Sequence, residues 1–398
     1  MDNISSVWLK KDRDKPALLR HHPWIFSGAV KKIDKNPLPG DIVRVVDSEG
    51  SFIAWAYFNP QSQISLRLLE WQEEIEINET WWYNRLFNAI KCRKSLKADG
   101  STSAYRLVHA ESDFLPGLIV DLYGDFIVLQ ALTAGIDKVK PILIKHLKSI
   151  LNPKGIYERS DTETRKLEGL SPVQGVLYGE TPVNLIEIRE NGFKFKIDII
   201  NGQKTGFFLD QRENRKITAS YVKKLKLLDC FSYTGAFSVY ALSEGAESVV
   251  CIDSSSTALE IARQNFELNG LAFKPELVLG NTFQILRDYR NAGIQFDMII
   301  LDPPKLSPTK ALREKASQAY KDINLIAMKL LKEDGILATF SCSSGIDAEF
   351  FKEILSWASI DAHREIQILK EMHQAEDHPV RLSFPESGYL KGFILRVC

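Results

Sequence analysis

The sequence lacks the cysteine pattern of a disulfide framework or a structural zinc site. Its 398 residues include only five cysteines, at positions 92, 230, 251, 342 and 398, and no two of them have C-x-x-C spacing. An odd number of cysteines leaves at least one thiol outside any internal disulfide. We therefore expect a protein of a reducing compartment that holds no metal ion.

Long apolar runs and a net charge are also missing. No apolar run approaches the roughly 20 residues that a transmembrane helix requires, and charges occur throughout the first 20 residues, unlike in a signal peptide. The 51 basic side chains balance 51 acidic ones, so any affinity for RNA must come from local patches. We expect a cytoplasmic protein that does not associate with membranes.

Phosphate-binding motifs are absent where the sequence shows a nucleotide-binding pattern. The apolar run Leu227–Phe231 predicts a strand, and the turn Ser232–Ala236 leads into a helical pattern. A dinucleotide would require G-x-G-x-x-G at this turn and a triphosphate G-x-x-x-x-G-K-[ST], but the turn holds a single glycine and no lysine. The pattern favours a nucleoside cofactor without phosphates, such as S-adenosylmethionine. The alternative is a Rossmann-like domain whose acids serve only solubility.

Acidic residues end three predicted strands. Asp229 lies near the end of the first strand, and Asp253 ends the next, where an acid is placed to bind ribose hydroxyls. A third strand runs into Asp302-Pro303-Pro304-Lys305, whose prolines hold the acid at the sheet edge. Alternating strands and helices predict a doubly wound α/β sheet.

A cysteine follows a further strand, Ile336–Phe340. The thiol of Cys342, between Ser341 and Ser343, could add to an electron-poor ring carbon and so make C5 of a pyrimidine nucleophilic. The alternative is a small core residue. Asp-Pro-Pro followed by an aromatic residue is typical of methyltransferases that modify exocyclic amines, and Lys305 in that position argues against such chemistry.

Short β-rich segments at 24–27, 41–46, 52–58 and 64–69, within residues 7–71, predict a small barrel similar to a PUA domain. We place RNA contacts at His21, His22, Pro23 and Trp24, with the barrel core as the alternative role for Trp24. Further along, the patterns predict helices at 79–96, 138–151, 214–224, 310–331 and 348–357, hairpins at 117–130 and 182–200, and a final hairpin of 382–384 with 393–397. Asp113 and Asp121 are expected in turns.

Eight motifs occur along the chain in the same order as in one known family. They are Arg20–Gly28, Leu115–Asp121, Gly206–Arg212, Phe231–Gly235, Asp302–Lys305, Ser341–Ser343, Asp377–Val380 and Tyr389–Gly392. Through these motifs the sequence resembles the class I S-adenosylmethionine-dependent RNA cytosine-5 methyltransferases of the ribosomal large-subunit methyltransferase I type. The resemblance covers essentially the whole chain and implies a Rossmann-like methyltransferase sheet, an N-terminal PUA-like β-barrel and an intermediate α+β domain, with the domains 1–72, 73–183 and 184–398.

The resemblance also implies roles for individual residues. Cys342 would add to C6 of a cytosine in ribosomal RNA, Asp302 would hold the pyrimidine edge, and Lys305 would contact RNA. Asn281 stands where the family has an acid that accepts the adenine amino group, and its carbonyl can still accept that bond. The residues expected to bind S-adenosylmethionine are Gln211, Arg212, Asp229, Phe231, Tyr233, Thr234, Gly235, Asp253, Ser254, Asn281, Asp302 and Pro303.

Two alternatives to this function remain at the level of sequence. One is methylation of another base atom, such as a guanine ring nitrogen, in which case Cys342 would be structural. The other is a non-catalytic RNA-binding factor in ribosome assembly. The sequence does not show which nucleotide is modified, or whether the substrate is naked RNA or a partly assembled subunit. It also leaves open which base removes the C5 proton and whether the protein forms an oligomer such as a homodimer.

Overall fold

The computed structural model describes residues 4–97, 100–182, 185–271, 275–306 and 313–398. The chain forms two compact units. The N-terminal unit comprises Met1–Ile186, Asp198–Phe207 and Asp377–Ser387, and the second unit comprises Glu187–Ile197, Phe208–Glu376 and Gly388–Cys398. The predicted domain boundary between residues 183 and 184 lies outside the described residues.

The first sheet of the N-terminal unit has the strand order β2-β6-β5-β4-β1-β3. Its strands β2, β4, β5 and β6 were predicted from the sequence, whereas β1 and β3 were missed. Alternating apolar residues of β4 and β5 bury one face of the sheet, as in Val43, Val45 and Ala54. The elements are β1 (Ser6–Leu9), α1 (Lys15–Arg20), β2 (Trp24–Ile25), β3 (Val30–Ile33), β4 (Ile42–Val46), β5 (Phe52–Phe58) and β6 (Leu66–Glu70).

The second sheet of this unit has the order β11-β10-β9-β8-β7. The predicted hairpin is confirmed as β8 and β9, but the helix predicted to reach residue 96 is α2, which ends at Lys91. The elements are α2 (Glu79–Lys91), α3 (Lys94–Lys97), β7 (Ala104–His109), β8 (Leu118–Tyr123), β9 (Phe126–Ala131), α4 (Ala134–Leu151), β10 (Gly155–Ser160), α5 (Glu163–Lys166) and β11 (Val173–Gly179).

The turn role expected for Asp121 is wrong. Asp121 lies within β8, is fully buried, and accepts two hydrogen bonds from the guanidinium of Arg106 at 2.8 and 2.9 Å. The hydroxyl of Thr205 donates a third at 2.6 Å. A buried carboxylate is tolerated only when it is paired in this way, so Asp121 is part of the core of its unit. Asp113 ends the single 3-10 turn Ala110–Asp113, accepts the backbone amide of His109 at 2.6 Å, and is also paired with Arg93 through two hydrogen bonds of 2.7 Å.

The second unit contains a sheet with the order β16-β15-β14-β17-β18-β20-β19. The first five strands of this order, β16, β15, β14, β17 and β18, are parallel to one another. Strand β20 is antiparallel to both β18 and β19. This arrangement confirms the doubly wound α/β fold. The elements are β12 (Ile186–Glu190), β13 (Phe193–Ile197), α6 (Arg212–Ala219), β14 (Lys226–Cys230), α7 (Ala236–Ser243), β15 (Ser248–Asp253), α8 (Ser256–Leu268), β16 (Pro275–Leu279), α9 (Thr282–Asn291), β17 (Phe296–Leu301), α10 (Arg313–Leu330), β18 (Leu331–Ser341), α11 (Ala348–Ala362), β19 (Ile366–Met372) and β20 (Lys391–Val397).

The predicted hairpin is confirmed as β12 and β13, whereas the helix predicted at 214–224 is α6, which begins at Arg212 and ends at Ala219. Residues 310–312 of the helix predicted at 310–331 lie outside the described residues. The strand predicted at 382–384 is wrong: Leu382 is 98% exposed, and the partner of β20 is β19.

The strand register brings the predicted site residues to one edge of the sheet. Cys230 of β14 pairs with both Ile252 of β15 and Leu301 of β17, and Leu301 pairs with Thr339 of β18. The carboxyl ends of four parallel strands are therefore level, and the residues that follow them share the edge where ligands bind in doubly wound sheets.

Candidate active site

The turn after β14 has an unusual backbone. Phe231, Tyr233 and Gly235 all have positive φ angles, of 59°, 47° and 74°. Aromatic residues rarely adopt this conformation, and strained backbone of this kind concentrates at binding sites. A side chain at Gly235 would also press against Ala262 and Phe266, with Cβ contacts of 3.1 and 3.0 Å. The sequence between β14 and α7 is thus constrained to one conformation.

Asp253 fastens this turn to the end of β15. Its carboxylate accepts the backbone amide of Tyr233 at 2.9 Å and that of Ser255 at 2.8 Å, one on each oxygen. Each carboxylate oxygen has a further lone pair, so the group can also accept hydroxyl donors. Asp253 therefore holds the turn in place, and its role in binding ribose stays a prediction.

A second carboxylate is buried beneath the turn. Asp229 accepts a hydrogen bond from the hydroxyl of Ser238 at 2.6 Å. Burial raises the pKa of Asp229 to about 7, and the negative charges of Asp302 and Asp253 add to this effect. Three acids at neighbouring strand ends make this edge suited to a cationic ligand. Ser238 was missed in the sequence, where its position in a helix gave no signal.

The segment before α6 is buried. The phenolic hydroxyl of Tyr389 donates to Asp210 at 2.6 Å, and Gln211 accepts a hydrogen bond from Asn214 at 2.6 Å. Asp210 and Arg212 are 2% and 0% exposed, so neither side chain lies at the surface. The structure instead holds Gln211 and Arg212 within the unit that carries the strand ends.

Asn281 lies at the other end of the sheet edge. Its side chain caps α9 by accepting the amide of Gln284 at 3.3 Å, which leaves a lone pair for another donor. Asn281 and Phe283 border an open cleft of about 550 Å³, and Phe283 packs edge-on against Phe231 with ring centroids 5.9 Å apart. Phe283 was not singled out in the sequence, although an apolar slot is what adenine requires. Ser254 is exposed and Thr234 is buried.

Asp302 and Cys342 follow the adjacent strands β17 and β18. Both side chains are half-buried, Pro303 is buried, and Lys305 is exposed. The hydroxyls of Tyr320 and Ser343 lie 3.2 Å apart. Burial raises the pKa of Tyr320 to about 12, and the charges of Cys342 and Asp302 contribute to this shift. The charges of the predicted nucleophile and of the predicted acid therefore both act on this phenol.

The residues predicted to contact RNA belong to the N-terminal unit, apart from Lys305. His21 is exposed and stacks on Trp71, with ring centroids 5.0 Å apart. Trp24 is half-buried and donates its indole N–H to Glu111 at 2.8 Å. Pro23 is buried, and His22 accepts the amide of Trp24 at 3.2 Å. His21 is thus accessible to a ligand, whereas Trp24 helps to hold the unit together.

His21 and Trp71 line a cleft of about 460 Å³. Arg381 lies over Phe114 with its guanidinium carbon 4.2 Å from the ring centre, and that of Arg85 is 5.3 Å from the same ring. Burial lowers the pKa of Arg381 to about 10, and the charge of Arg85 adds to this shift. We refer to this feature, lined by His21, Trp71, Arg85, Phe114 and Arg381, as the aromatic cleft.

Over the described ranges, no group of three or more His, Cys, Asp or Glu side chains is arranged to hold a metal ion. In the same part of the chain, none of the helices has the length and apolar character to cross a membrane.

Two known protein families match parts of the chain. Residues 7–71 match a family described as a PUA-like domain. Residues 172–379, more than half of the chain, match a family of S-adenosylmethionine-dependent methyltransferases. The acid-lined sheet edge is consistent with this match, because the cofactor is a sulfonium cation without phosphates. The protein is therefore an S-adenosylmethionine-dependent methyltransferase that carries a PUA-like domain.

Full-length relatives narrow the assignment. A protein of Tolumonas auensis named ribosomal RNA large subunit methyltransferase I is 46% identical over 394 residues, with 98% of this chain and 99% of the relative covered. A protein of the same name from Pseudoalteromonas translucida is 44% identical, with 99% of each chain covered. The chain belongs to the ribosomal RNA large subunit methyltransferase I family.

Solved structures confirm the fold. A putative S-adenosylmethionine-dependent methyltransferase from Streptococcus mutans has a TM-score of 0.85 at 23% identity, covering 98% of this chain and all of that one. A putative methyltransferase solved with S-adenosylhomocysteine gives the same score, identity and coverage. The predicted family, fold class and cofactor are thus confirmed.

The pKa of Asp229 leads to a prediction about cofactor affinity. A cationic cofactor favours the carboxylate form, so the affinity for S-adenosylmethionine should rise about tenfold between pH 6 and pH 8 as Asp229 ionises. Without cofactor the same group acts oppositely on folding: its raised pKa gives stability that is present at low pH and lost as pH rises through about 7. Calorimetric titrations of wild type and Asp229→Asn would test this. An Asp229→Asn protein with the same pH dependence as wild type would exclude Asp229 as its source.

Proposed function

We propose that this protein transfers a methyl group to C5 of a cytosine in large-subunit ribosomal RNA. The relatives' name supports RNA of the large subunit as substrate. The observation that carries the choice of atom is the placement of Cys342 and Asp302 just beyond adjacent, paired strands, beside the acid-lined cofactor edge. Methylation of an exocyclic amine or a ring nitrogen would not need a thiol at this position.

The chemistry follows from what these side chains can do. S-adenosylmethionine, when bound, supplies the methyl group as an electrophile. The thiolate of Cys342 adds to C6 of cytosine, and the electron pair of the C5–C6 double bond becomes available at C5. Asp302 steadies the N3 edge of the ring. After methylation C5 loses its proton, the C6–S bond breaks, and the thiolate is released.

The residues that hold the cofactor are part of the same proposal. Asp253 accepts the ribose hydroxyls, and Asn281 accepts from the adenine amino group. The remaining contacts are assigned to the turn after β14, to the start of α6 and to the end of β17, through Gln211, Arg212, Asp229, Phe231, Tyr233, Thr234, Gly235, Ser254, Asp302 and Pro303.

We place the RNA anchor of the N-terminal unit in the aromatic cleft. Unpaired bases stack on aromatic and guanidinium planes, and phosphates attract arginine. The cleft offers Trp71 and Phe114 as faces and two guanidinium groups as charges. Of the four consecutive residues predicted to contact RNA, His21 lines this cleft. In the methyltransferase unit we propose Lys305 as a further RNA contact.

We propose that the enzyme acts in the cytoplasm.

Arg381 gives this anchor a measurable signature. Arg381→Gln should weaken RNA binding and reduce the slope of log affinity against log salt by about one, because one phosphate contact is lost. The affinity for S-adenosylmethionine should be unchanged. Filter binding of RNA at several salt concentrations would measure the RNA affinity and its slope, and calorimetry would measure the affinity for S-adenosylmethionine. The matched control is Lys166→Gln, which removes an exposed charge of the same unit; equal effects of the two variants would show that the cleft is not the anchor.

Nucleoside analysis tests the proposed reaction itself. Large-subunit RNA from cells that lack this protein should have lost 5-methylcytidine at one position, as measured by mass spectrometry of digested RNA. Wild-type protein should restore it, and Asp302→Ala should not. Loss of a methylated guanosine instead would indicate a ring-nitrogen acceptor. Unchanged nucleosides together with altered subunit assembly would indicate a non-catalytic factor.

A further inference from the structure

Lys391 places a primary amine beside the segment that contains Cys342. It is the first residue of β20 and pairs with Ser341, the last residue of β18. Its side chain is almost buried, with 8% of the residue exposed. The ammonium nitrogen donates hydrogen bonds to the backbone carbonyls of Ser343 at 2.9 Å and Tyr389 at 2.7 Å. The amine is thus bonded to the residue two positions beyond β18 and to the residue two positions before β20.

The surroundings of this amine are unusual for a lysine. Both hydrogen-bond acceptors are uncharged carbonyl groups, so neither compensates the charge of the ammonium ion. The charged and titratable groups that act on it are Cys342 beyond β18, Asp347 at the start of α11, and Lys305 after β17. Of these, Cys342 and Asp347 favour the ammonium form and Lys305 opposes it. Burial without a neutralising acceptor costs free energy for the ammonium ion and therefore favours the neutral amine.

The pKa of Lys391 lies well below that of an ordinary lysine. Burial lowers its pKa to about 8 even though Cys342 and Asp347 raise it. An ordinary cysteine thiol has a pKa of about 8.5, so a proton can pass between the two groups at little cost. A neutral amine that donates two hydrogens to the two carbonyls also keeps one lone pair, which can receive a proton.

We propose that Lys391 activates Cys342 by taking its thiol proton. The S–H bond breaks, the proton forms a third N–H bond on the amine, and the electron pair stays on sulfur as a thiolate beside an ammonium ion. The thiolate released at the end of the reaction takes the proton back or remains paired with the ammonium ion. The C5 proton leaves separately to water. This inference rests on the proposed role of Cys342 as the nucleophile, but it concerns the reactivity of the thiol and can be measured without RNA.

Alkylation of the thiol tests the inference directly. Wild-type protein and Lys391→Met would react with iodoacetamide between pH 5.5 and 9.5, and mass spectrometry of the digest would give the rate at Cys342. Only the thiolate reacts, so loss of the amine should move the Cys342 profile at least one pH unit higher and slow alkylation at pH 7 about tenfold. The exposed Cys92 and Cys398 serve as internal controls. Lys329→Met removes an exposed lysine on α10 and should leave all profiles unchanged.

Enzyme kinetics add a readout that a purely structural role would not produce. In Lys391→Met, kcat for methylation should fall at pH 7 and recover substantially at pH 9, where Cys342 ionises without help, while the affinity for S-adenosylmethionine stays within twofold. A profile reduced equally at every pH would contradict the inference.

The outcomes separate this inference from the proposed function. An unchanged Cys342 profile in folded Lys391→Met would overturn the role of Lys391 alone. A shifted profile in an enzyme that forms no covalent adduct with RNA would instead count against Cys342 as a nucleophile. If Lys391→Met does not fold, wild-type protein still decides: Cys342 must reach its alkylation plateau at lower pH than Cys92 and Cys398, and equal profiles would exclude activation.

Discussion

Cys342→Ala should lower the rate of RNA methylation by about 10⁴-fold or more, because a covalent nucleophile cannot be replaced by surrounding groups. Cys342→Ser should be nearly as inactive, since a hydroxyl is a far weaker nucleophile than a thiolate. Both variants should bind S-adenosylmethionine with affinity close to that of wild type. Single-turnover assays with labelled cofactor would measure the rates, and calorimetry the affinities.

A mechanism-based trap gives the matching positive result. RNA with 5-fluorocytosine at the target position should become covalently attached to wild-type protein, because fluorine cannot leave as a proton and the C6–S bond is retained. Denaturing gels would show the protein–RNA band, which Cys342→Ala should abolish. Two results together would assign the reaction to an acceptor such as a guanine ring nitrogen: a Cys342→Ala protein that methylates at near wild-type rate, and wild-type protein that gives no trapped band.

Glu190→Ala should lower the free energy of unfolding by about 3 to 5 kcal/mol, the usual effect of leaving one buried charge without its partner. Glu190 is 0% exposed and receives two hydrogen bonds from Arg215 of α6, at 2.7 and 2.6 Å, and one from Tyr240 at 3.0 Å. The pair joins β12 to α6, the helix that follows Gln211 and begins at Arg212. Urea unfolding followed by circular dichroism would measure the change.

A double variant serves as the control for this pair. Glu190→Leu with Arg215→Met removes both charges while keeping much of the buried volume, and it should cost far less than Glu190→Ala alone. If the double variant were as destabilised as the single one, packing and not the unpaired charge would explain the effect. A loss below about 1 kcal/mol in Glu190→Ala would mean that water reaches Arg215.

The cofactor edge was predictable because its signals are local. Strands β14, β15 and β17 are short apolar runs, and Asp229, Asp253 and Asp302 lie at or just beyond their ends, so each element and its acid occur within a few residues. The parallel order then places the acids together. The sequence could not show that Asp253 also binds two backbone amides, because this depends on the strained turn at Phe231 and Tyr233.

The contributions of the final strands were harder to predict. The apolar residues at 382–384 suggested a strand, but three residues carry little information, and the true strand β19 has the mixed sequence IQILKEM that is typical of a sheet edge. Lys391 reaches Ser343 across 48 residues of sequence, a distance that no local pattern encodes. Asp121 was misassigned for the same reason, since Arg106 and Thr205 come from separate segments.

The position of β20 has a consequence for the order in which the protein folds during its synthesis. This strand lies between β18 and β19, both of which leave the ribosome before it. Until β20 emerges, β18 exposes an unpaired edge and β19 has no neighbour, a state that invites wrong pairings between chains. Since β20 also carries Lys391, a nascent chain would hold Cys342 as an unactivated thiol. The thiol of Cys342 would thus become reactive only after β20 has paired with β18.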